Sequence, residues 1–207
     1  LFLKEIFRGS FMTFTQFKDR YDKAGSIVLL EGKRDVKRTD KEKLIALGEY
    51  LASETDYITF RSGNADGSDS YFSNGVSNID NNRLEVITPY SGHRKSSNKA
   101  AKTNSLDDIN LAEEPEVVYQ SKSRKKTKKL VEKYVDGMRN RYAIKAAYII
   151  RDTIKVIGTN SGIKPIDFGI FYDDLDNPQS GGTGHTMDVC EMNNVPFIDQ
   201  RTWFEWI

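Results

Sequence analysis

The sequence predicts an α/β protein with a doubly wound, mostly parallel, Rossmann-like sheet of five strands or slightly more, with helices on both faces. Two observations support this fold class. Short apolar runs typical of buried strands alternate with segments in which apolar residues recur at helical spacing. Glycine-rich stretches follow two of the apolar runs and lead into helical segments. Such alternation is typical of right-handed strand–helix–strand units, in which the strands pair in parallel.

Three strands and three helices are predicted in the first half of the chain. Residues 26–31 (SIVLLE) are a continuous apolar run that stops at Gly32, as expected of a strand buried on both faces. Residues 56–60 (DYITF) and 84–88 (LEVIT) form the next two strands. The apolar residues that recur at helical intervals before and between these strands are Phe14, Phe17 and Tyr21, then Leu44, Leu47 and Leu51, then Tyr71, Phe72 and Val76.

The second half continues the alternation after a charged middle segment. Residues 143–157 repeat alanine and isoleucine at helical spacing, and this pattern stops at Gly158, a residue that commonly ends helices. A fourth strand is predicted at 167–172 (DFGIFY), a helix at 184–193 and a fifth strand at 195–198 (VPFI).

The length of 207 residues is about that of one domain. We expect a single Rossmann-like domain over residues 12–207, with a charged insertion at about 91–137 where little core pattern is visible. Within residues 121–145, ten basic residues stand against two acidic ones. Residues 1–11 precede Met12 and are expected to be a vector or upstream extension; an amphipathic arm packed on the domain is the alternative.

Composition excludes several classes of protein. Lys and Arg number 31 against 30 Asp and Glu, so the net charge of +1 indicates neither a nucleic-acid binder nor a membrane-surface protein. One cysteine rules out an intramolecular disulfide, and with only two histidines it argues against a zinc site. No apolar run approaches the ~20 residues of a membrane span, and we expect a cytoplasmic protein without a membrane partner.

Two glycine-rich loops predict a ligand site at the carboxyl edge of the sheet, where open parallel sheets bind ligands. Residues 61–69 (RSGNADGSD) follow the second strand, and residues 180–186 (SGGTGHT) follow the fourth. Glycine leaves room for a phosphate, and the start of a helix supplies unpaired N–H groups. We therefore expect a nucleotide or nucleotide-derived ligand.

Arginines near the same edge can pair with phosphate bidentately. Neither the GxGxxG dinucleotide fingerprint nor the Gly-Lys-Ser/Thr ending of a P-loop is present. Arg61 is expected to clamp the phosphate. His185 is expected either to donate to it when protonated or to be only a residue of the helix start, and Asp69 either to bind a ribose or to hold its own loop. The predicted ligand-binding residues are Gly32, Arg34, Arg61, Ser62, Gly63, Asn64, Asp69, Arg94, Gly181, Gly182, Thr183, Gly184 and His185.

The two loops resemble motifs of the SLOG superfamily. Residues 62–69 (SGNADGSD) look like the SGxAxGxD motif of DNA-processing protein A, and residues 181–184 (GGTG) look like the GGxGT phosphate loop of the "lonely guy" phosphoribohydrolases. The resemblance covers roughly residues 26–198 without the segment 91–137. It implies a Rossmann-like domain that binds nucleotides, nucleotide-derived ligands or single-stranded DNA.

The resemblance also leaves open whether the protein is an enzyme. A phosphoribohydrolase would cleave the N-glycosidic bond of a nucleoside monophosphate. Asp188 stands where the phosphoribohydrolase pattern has a glutamate and would stabilise the developing oxocarbenium ion. Arg139 and Arg141 are the counterparts of the Arg-Lys pair of that family.

Three further hypotheses concern partners and cofactors. The basic residues within 122–145 could bind single-stranded nucleic acid through its phosphates, or form a solvated loop. Asp173 and Asp174 could hold Mg²⁺ together with a phosphate ligand, or simply form a turn; no cofactor is required. The aromatic tail with Trp203, Phe204 and Trp206 could form a homodimer interface, and an intramolecular core is the alternative.

Overall fold

A computed structural model describes residues 12–207, and the expectations for residues 1–11 lie outside this range. Within it, six strands form one parallel sheet in the order β4-β3-β2-β1-β5-β6. This arrangement confirms the doubly wound α/β class. The strands are β1 (Ile27–Gly32), β2 (Thr59–Ser62), β3 (Leu84–Thr88), β4 (Lys102–Ser105), β5 (Phe168–Tyr172) and β6 (Phe197–Ile198).

The helices connect and cover these strands. Thr13 begins the first helix with a reciprocal capping box to Gln16. The helices are α1 (Phe14–Tyr21), α2 (Lys41–Glu54), α3 (Ser68–Asp80), α4 (Pro115–Ser121), α5 (Lys125–Val135), α6 (Ala143–Ile157), α7 (Gly181–Met192) and α8 (Gln200–Trp203).

Strand β1 shows how the sheet is buried on both faces. Val28 and Leu30 pack into a cluster with residues of α1, α2 and α3. Ile27 and Leu29 point to the opposite face and pack with α6 and α7. Successive side chains of a strand alternate between faces, and full burial of each such side chain stabilises the fold by about 1.5–3 kcal/mol. The burial of both faces of β1 therefore explains its continuous apolar run.

Two predicted elements differ from the structure at their ends. Strand β2 begins later than predicted because the backbone N–H groups of Asp56 and Tyr57 donate to the carboxylate of Asp22 instead of joining the sheet. Helix α7 begins at Gly181, three residues earlier than predicted, because the low helix propensity of glycine hides the first turn. The early start places the glycines inside the helix.

The segment 91–137 contributes more to the core than its sequence indicates. It contains β4, α4 and α5, and it buries Leu106, Val117 and Val131 against α6. These apolar residues are too widely spaced among charged ones to form a visible pattern. Strand β4 (KTNS) is an exposed edge strand, and short polar edge strands with lysine are a common way to prevent sheet aggregation.

The aromatic tail packs on its own chain. The indole of Trp203 donates to the Phe171 carbonyl at 2.9 Å, and that of Trp206 donates to the Met12 carbonyl at 2.8 Å. The intramolecular alternative therefore holds for both tryptophans. No helix within residues 12–207 is long and apolar enough to cross a membrane.

The strand order reverses at β1, which lies between β2 and β5. Gly32 at the end of β1 pairs with Tyr172 at the end of β5, so the two strands end level with each other. A crevice at this position is where open α/β sheets bind ligands.

Candidate functional site

A cavity of about 1130 Å³ opens at the carboxyl ends of β1 and β5. Its lining comes from the loops after these two strands, the first turn of α7, the start of α5 and one side of α6, together with Ala65 and Asp69 that follow β2. Gly32 and Arg34 are the predicted residues that β1 brings to it. Gly32 is required for packing, because a Cβ there would lie 2.5 Å from the Tyr172 carbonyl oxygen.

The start of α7 faces the cavity with Gly181, Gly182 and Thr183. Ser180 at the N-cap makes no side-chain hydrogen bond to the helix, and the first turn contains no acidic residue. The unpaired N–H groups and positive dipole end of a helix attract anions, so this end suits a phosphate. Gly184 does not line the cavity; it allows close packing, since a Cβ there would lie 1.9 Å from the Gln179 carbonyl oxygen.

His185 lines the cavity from the same turn and is 2% exposed. Its Nε2 lies 2.9 Å from Thr153 Oγ1, and its Nδ1 has no hydrogen-bond partner within the described chain. Burial lowers the pKa of His185 below its usual 6.5 despite the nearby Asp152 carboxylate. The ring is therefore neutral at pH 7 and offers one N–H, whereas the sequence-based hypothesis has a protonated ring donating to phosphate.

The basic residues at the start of α5 lie beside the glycine-rich first turn of α7. Arg124 donates from Nε to Asp188 at 2.6 Å and from a terminal nitrogen to the Gln179 carbonyl at 3.0 Å. This pairing holds the start of α5 beside the start of α7. Lys125 and Lys126 consequently line the cavity, as do Arg141 and Lys145 near the start of α6.

Every acidic side chain of the lining within residues 12–207 has a partner in the protein. Asp174 pairs with Lys33 at 3.3 Å, and Asp173 accepts from the Gln179 N–H at 3.0 Å. The other three acidic side chains of the lining are those of Glu31, Asp69 and Asp152. In contrast, five basic side chains of the lining form no ion pair with a described residue, and these are Arg34, Lys125, Lys126, Arg141 and Lys145.

A buried ion network forms one wall of the cavity. Glu31 accepts from Lys155 at 2.6 Å and from the Thr186 hydroxyl at 2.9 Å, and burial raises the pKa of Glu31 to about 7. Asp152 lies 3.0 Å from both Lys155 and Arg151. Although burial opposes it, these two cations hold the pKa of Asp152 below its usual range.

Sequence reasoning missed this network. The sequence does carry a signal of the network, because Arg151, Asp152 and Lys155 interrupt the apolar pattern of α6 and are all buried. Charged side chains are almost never fully buried unless they are paired. Three charges inside an apolar helical pattern therefore indicate a buried pairing partner, which is Glu31 for Lys155.

The loop after β2 provides its own anion. The carboxylate of Asp69 accepts from the N–H groups of Gly32 at 3.3 Å, Gly63 at 3.2 Å and Ala65 at 3.3 Å. Asp69 is 2% exposed and touches the cavity, yet its acceptor oxygens are used by the N–H groups of this loop and of Gly32. Of the two hypotheses for this residue, the contacts support the one in which it holds its own loop.

Other predicted residues of this loop point away from the cavity. Ser62 is fully buried, and the Gly63 carbonyl accepts from Arg151. Asn64 adopts a left-handed conformation with φ of 54° and donates to the carbonyls of His93 and Arg94 at 3.4 Å. None of these three predicted residues lines the cavity.

Arg61 does not reach the cavity. Its guanidinium is 1% exposed, donates to Glu85 at 2.6 Å and to the Lys155 carbonyl at 2.8 Å, and so belongs to the core. The side chain of a strand residue points to a face of the sheet, and that of Arg61 meets Glu85 on β3. Arg94 pairs with Asp66 and also lies outside the lining.

The predicted catalytic residues are not brought together. Asp188 is bound to Arg124, and it does not line the cavity. Arg139 lies over the Tyr134 ring at 4.0 Å, also outside the lining. Arg141 does line the cavity and donates to the Tyr142 hydroxyl at 2.9 Å.

No group of three or more potential metal-ligating side chains occurs within residues 12–207. Asp173 and Asp174, the residues considered for Mg²⁺, are both lining residues, and their carboxylates are used by Gln179 and Lys33.

No protein-family model and no curated protein sequence matches the chain. Among solved structures, the chain is similar to DNA processing protein A from Helicobacter pylori, a structure that describes a single-stranded DNA binding mode. The TM-score is 0.51, and the match covers 90% of this chain and 68% of that chain at 14% identity. The fold is therefore similar to that of DNA processing protein A, in agreement with the Rossmann-like domain that the resemblance of the two loops implies.

Proposed function

We propose that the cavity binds a nucleotide or nucleotide-derived ligand, with a phosphate at the first turn of α7. The observation that supports this proposal is the imbalance of partners in the lining. The acidic groups are already paired within the protein, whereas the basic groups without an ion pair are Arg34, Lys125, Lys126, Arg141 and Lys145. An anion placed there meets several unpaired cations and the N–H groups of the helix start, and charge-assisted hydrogen bonds are the strong ones.

Single-stranded nucleic acid is the second candidate ligand. The structure of DNA processing protein A describes single-stranded DNA binding by that protein. In this chain, the basic residues of α5 continue beyond the cavity with Lys128 and Lys129, which are exposed and lie outside the lining. An extended strand of phosphates would use these two lysines, whereas a small nucleotide would not.

A thermal-shift titration of the intact protein separates ligand classes. The probes are nucleoside 5′-monophosphates, the matching nucleosides without phosphate, and short single-stranded oligonucleotides. A ligand at ~100 times its dissociation constant stabilises the native state by about 2.7 kcal/mol. We expect stabilisation by the monophosphates and none by the nucleosides. Equal effects of nucleoside and monophosphate would contradict a phosphate site.

Two double variants of α5, each lacking two adjacent lysines, then distinguish the two ligands. Lys125→Ala/Lys126→Ala removes cavity lysines, and Lys128→Ala/Lys129→Ala removes exposed lysines of the same type. For a nucleotide, the first double variant lowers affinity about tenfold and the second leaves it unchanged. For an oligonucleotide, both variants weaken binding, and the affinity falls as salt rises.

Hydrolysis of a nucleoside monophosphate remains a separate hypothesis. The carboxylate expected to act in it, Asp188, is bound by Arg124 at 2.6 Å. Chromatography of each monophosphate after incubation with the protein tests the hypothesis directly. Free base and ribose 5-phosphate in the wild type, and their loss in Asp188→Asn, would support it; an unchanged substrate would contradict it.

A further inference from the structure

One wall of the cavity carries an aromatic ring that the phosphate site does not use. Tyr148 on α6 is the one phenylalanine, tyrosine or tryptophan in the lining formed by the described chain. It is half-buried, so part of its surface is available to a ligand. The remaining lining is dominated by charged and small side chains, which gives this ring a distinct role in recognition.

The ring of Tyr148 is held from several directions. The ring of His93 meets it edge-on, with 5.6 Å between centroids. The guanidinium of Arg151 lies 5.3 Å from its centroid and is itself fixed by Asp152 and the Gly63 carbonyl. A rigid ring loses little conformational entropy when a ligand packs on it, so it is suited to binding.

Arg34 lies next to the same ring in an exposed position. Its guanidinium lies 5.4 Å from the Tyr148 centroid, and it forms no ion pair with a described residue. Aromatic rings and arginine guanidinium groups are the planar groups on which proteins stack unpaired nucleobases. The pair therefore presents both elements of a base-stacking site in one cavity.

We propose that the Tyr148–Arg34 pair holds the nucleobase of the ligand whose phosphate lies at the start of α7. This inference rests on the proposed function and gives the ligand its orientation and chemical class, a base and a phosphate on one molecule. The base packs against the face of Tyr148 and the exposed guanidinium of Arg34. The volume of about 1130 Å³ accommodates it, since clefts for drug-sized ligands have volumes of about 300–1,000 Å³.

Isothermal titration with two probes tests the orientation. Nucleoside 5′-monophosphates carry base and phosphate, and ribose 5-phosphate carries the phosphate and sugar alone. We expect the wild type to bind at least one monophosphate more tightly than ribose 5-phosphate. Tyr148→Ala should lower the affinity for that monophosphate roughly 5- to 150-fold, the range of a lost base–aromatic stack, and leave the affinity for ribose 5-phosphate unchanged.

Three further variants keep the test independent of folding. Tyr148→Phe retains the ring and should bind normally, whereas Tyr148→Leu keeps an apolar side chain and should behave like Tyr148→Ala. Tyr119→Ala removes a tyrosine that is 70% exposed on α4 and outside the lining, so it should have no effect.

The outcomes separate the two proposals. Equal affinity of the wild type for monophosphates and ribose 5-phosphate would overturn the base site alone, as would equal losses for both probes in Tyr148→Leu. Binding of neither probe by the wild type would overturn the proposed function, and this inference with it.

Discussion

The two glycine-rich loops at the carboxyl edge of the sheet look alike in sequence but differ in their contacts. In residues 62–69, the Asp69 carboxylate accepts the N–H groups of Gly63 and Ala65, and that of Gly32. In residues 180–185, no acidic side chain lies in the first turn of α7 and no side chain caps it. The first loop holds its own anion, whereas the second leaves the position open to a ligand.

This difference can be recognised in sequence once its cause is known. The first loop places an acidic residue in the first turn of its helix, and the second has none before Asp188. A glycine-rich helix start therefore predicts a phosphate site most strongly where the chain itself supplies no carboxylate. Changes in the β2 region should alter stability, and changes at α7 should alter affinity.

The largest effect on stability is expected from Arg61. Replacing it with alanine leaves Glu85 buried with only the distant contact to Lys102 at 3.4 Å. Breaking a buried pair by removing one partner costs about 3–5 kcal/mol. Chemical denaturation of Arg61→Ala should show this loss in the free energy of unfolding.

A double variant serves as the control for Arg61. Arg61→Met/Glu85→Leu removes both charges and keeps the buried volume, so it should recover most of the lost stability. It should also bind nucleotides like the wild type. A stable double variant that no longer binds them would mean that Arg61 contacts the ligand after all.

A smaller loss of stability is expected for Asp69→Asn. The amide keeps the size of the side chain but lacks the charge that three backbone N–H groups share. Hydrogen bonds to a charged group contribute about 1.5–3 kcal/mol, and urea denaturation should show a loss in this range. A stability equal to that of the wild type would show that the loop does not depend on this anion.

The third prediction concerns the pH dependence of the unfolding free energy that results from His93, in the loop after β3. His93 is buried beside Arg151, Arg94 and Arg34, and burial together with these cations lowers the pKa of His93 to about 4. Its pKa in the unfolded chain is near 6.5, so the unfolded state binds the proton more readily. The stabilising contribution of the neutral ring is present above pH 6.5 and is lost as the pH falls toward 4.

Comparison with His93→Phe isolates this contribution. Phenylalanine keeps a ring against Tyr90 and Tyr148 but binds no proton. Below pH 6.5, the wild type should lose up to about 1.4 kcal/mol of unfolding free energy per pH unit relative to the variant. Other titrating groups, including Glu31, are common to both proteins and cancel. Parallel pH profiles would contradict the buried neutral ring.

Much of the fold follows from local patterns. The apolar runs predict β1, β3 and β5, because strands that are buried on both faces consist mostly of apolar residues. Strand β4 is not predictable in this way, since its polar residues lie at the exposed edge. The start of α7 is recognisable from its glycines, although the predicted helix begins three residues too late.

The site is less predictable because it depends on contacts between distant parts of the chain. The position of Arg61 after an apolar run predicts a phosphate ligand, but Glu85 on the neighbouring strand binds it. Lys125 and Lys126 belong to the site because Arg124 binds Asp188, 64 residues away, and no local pattern records that contact.

Titration of two loop variants with nucleoside monophosphates tests the central claim. This claim is that, of the two glycine-rich loops, only the one at the start of α7 binds the ligand. Gly182→Ala adds a methyl group at the open helix start, where the nearest atom is Asp152 Oδ2 at 3.3 Å. Asn64→Gly truncates a side chain of the other loop at a positive φ that glycine adopts freely. We predict at least a tenfold loss of affinity for Gly182→Ala and none for Asn64→Gly. The reverse pattern, in folded proteins, would contradict this assignment.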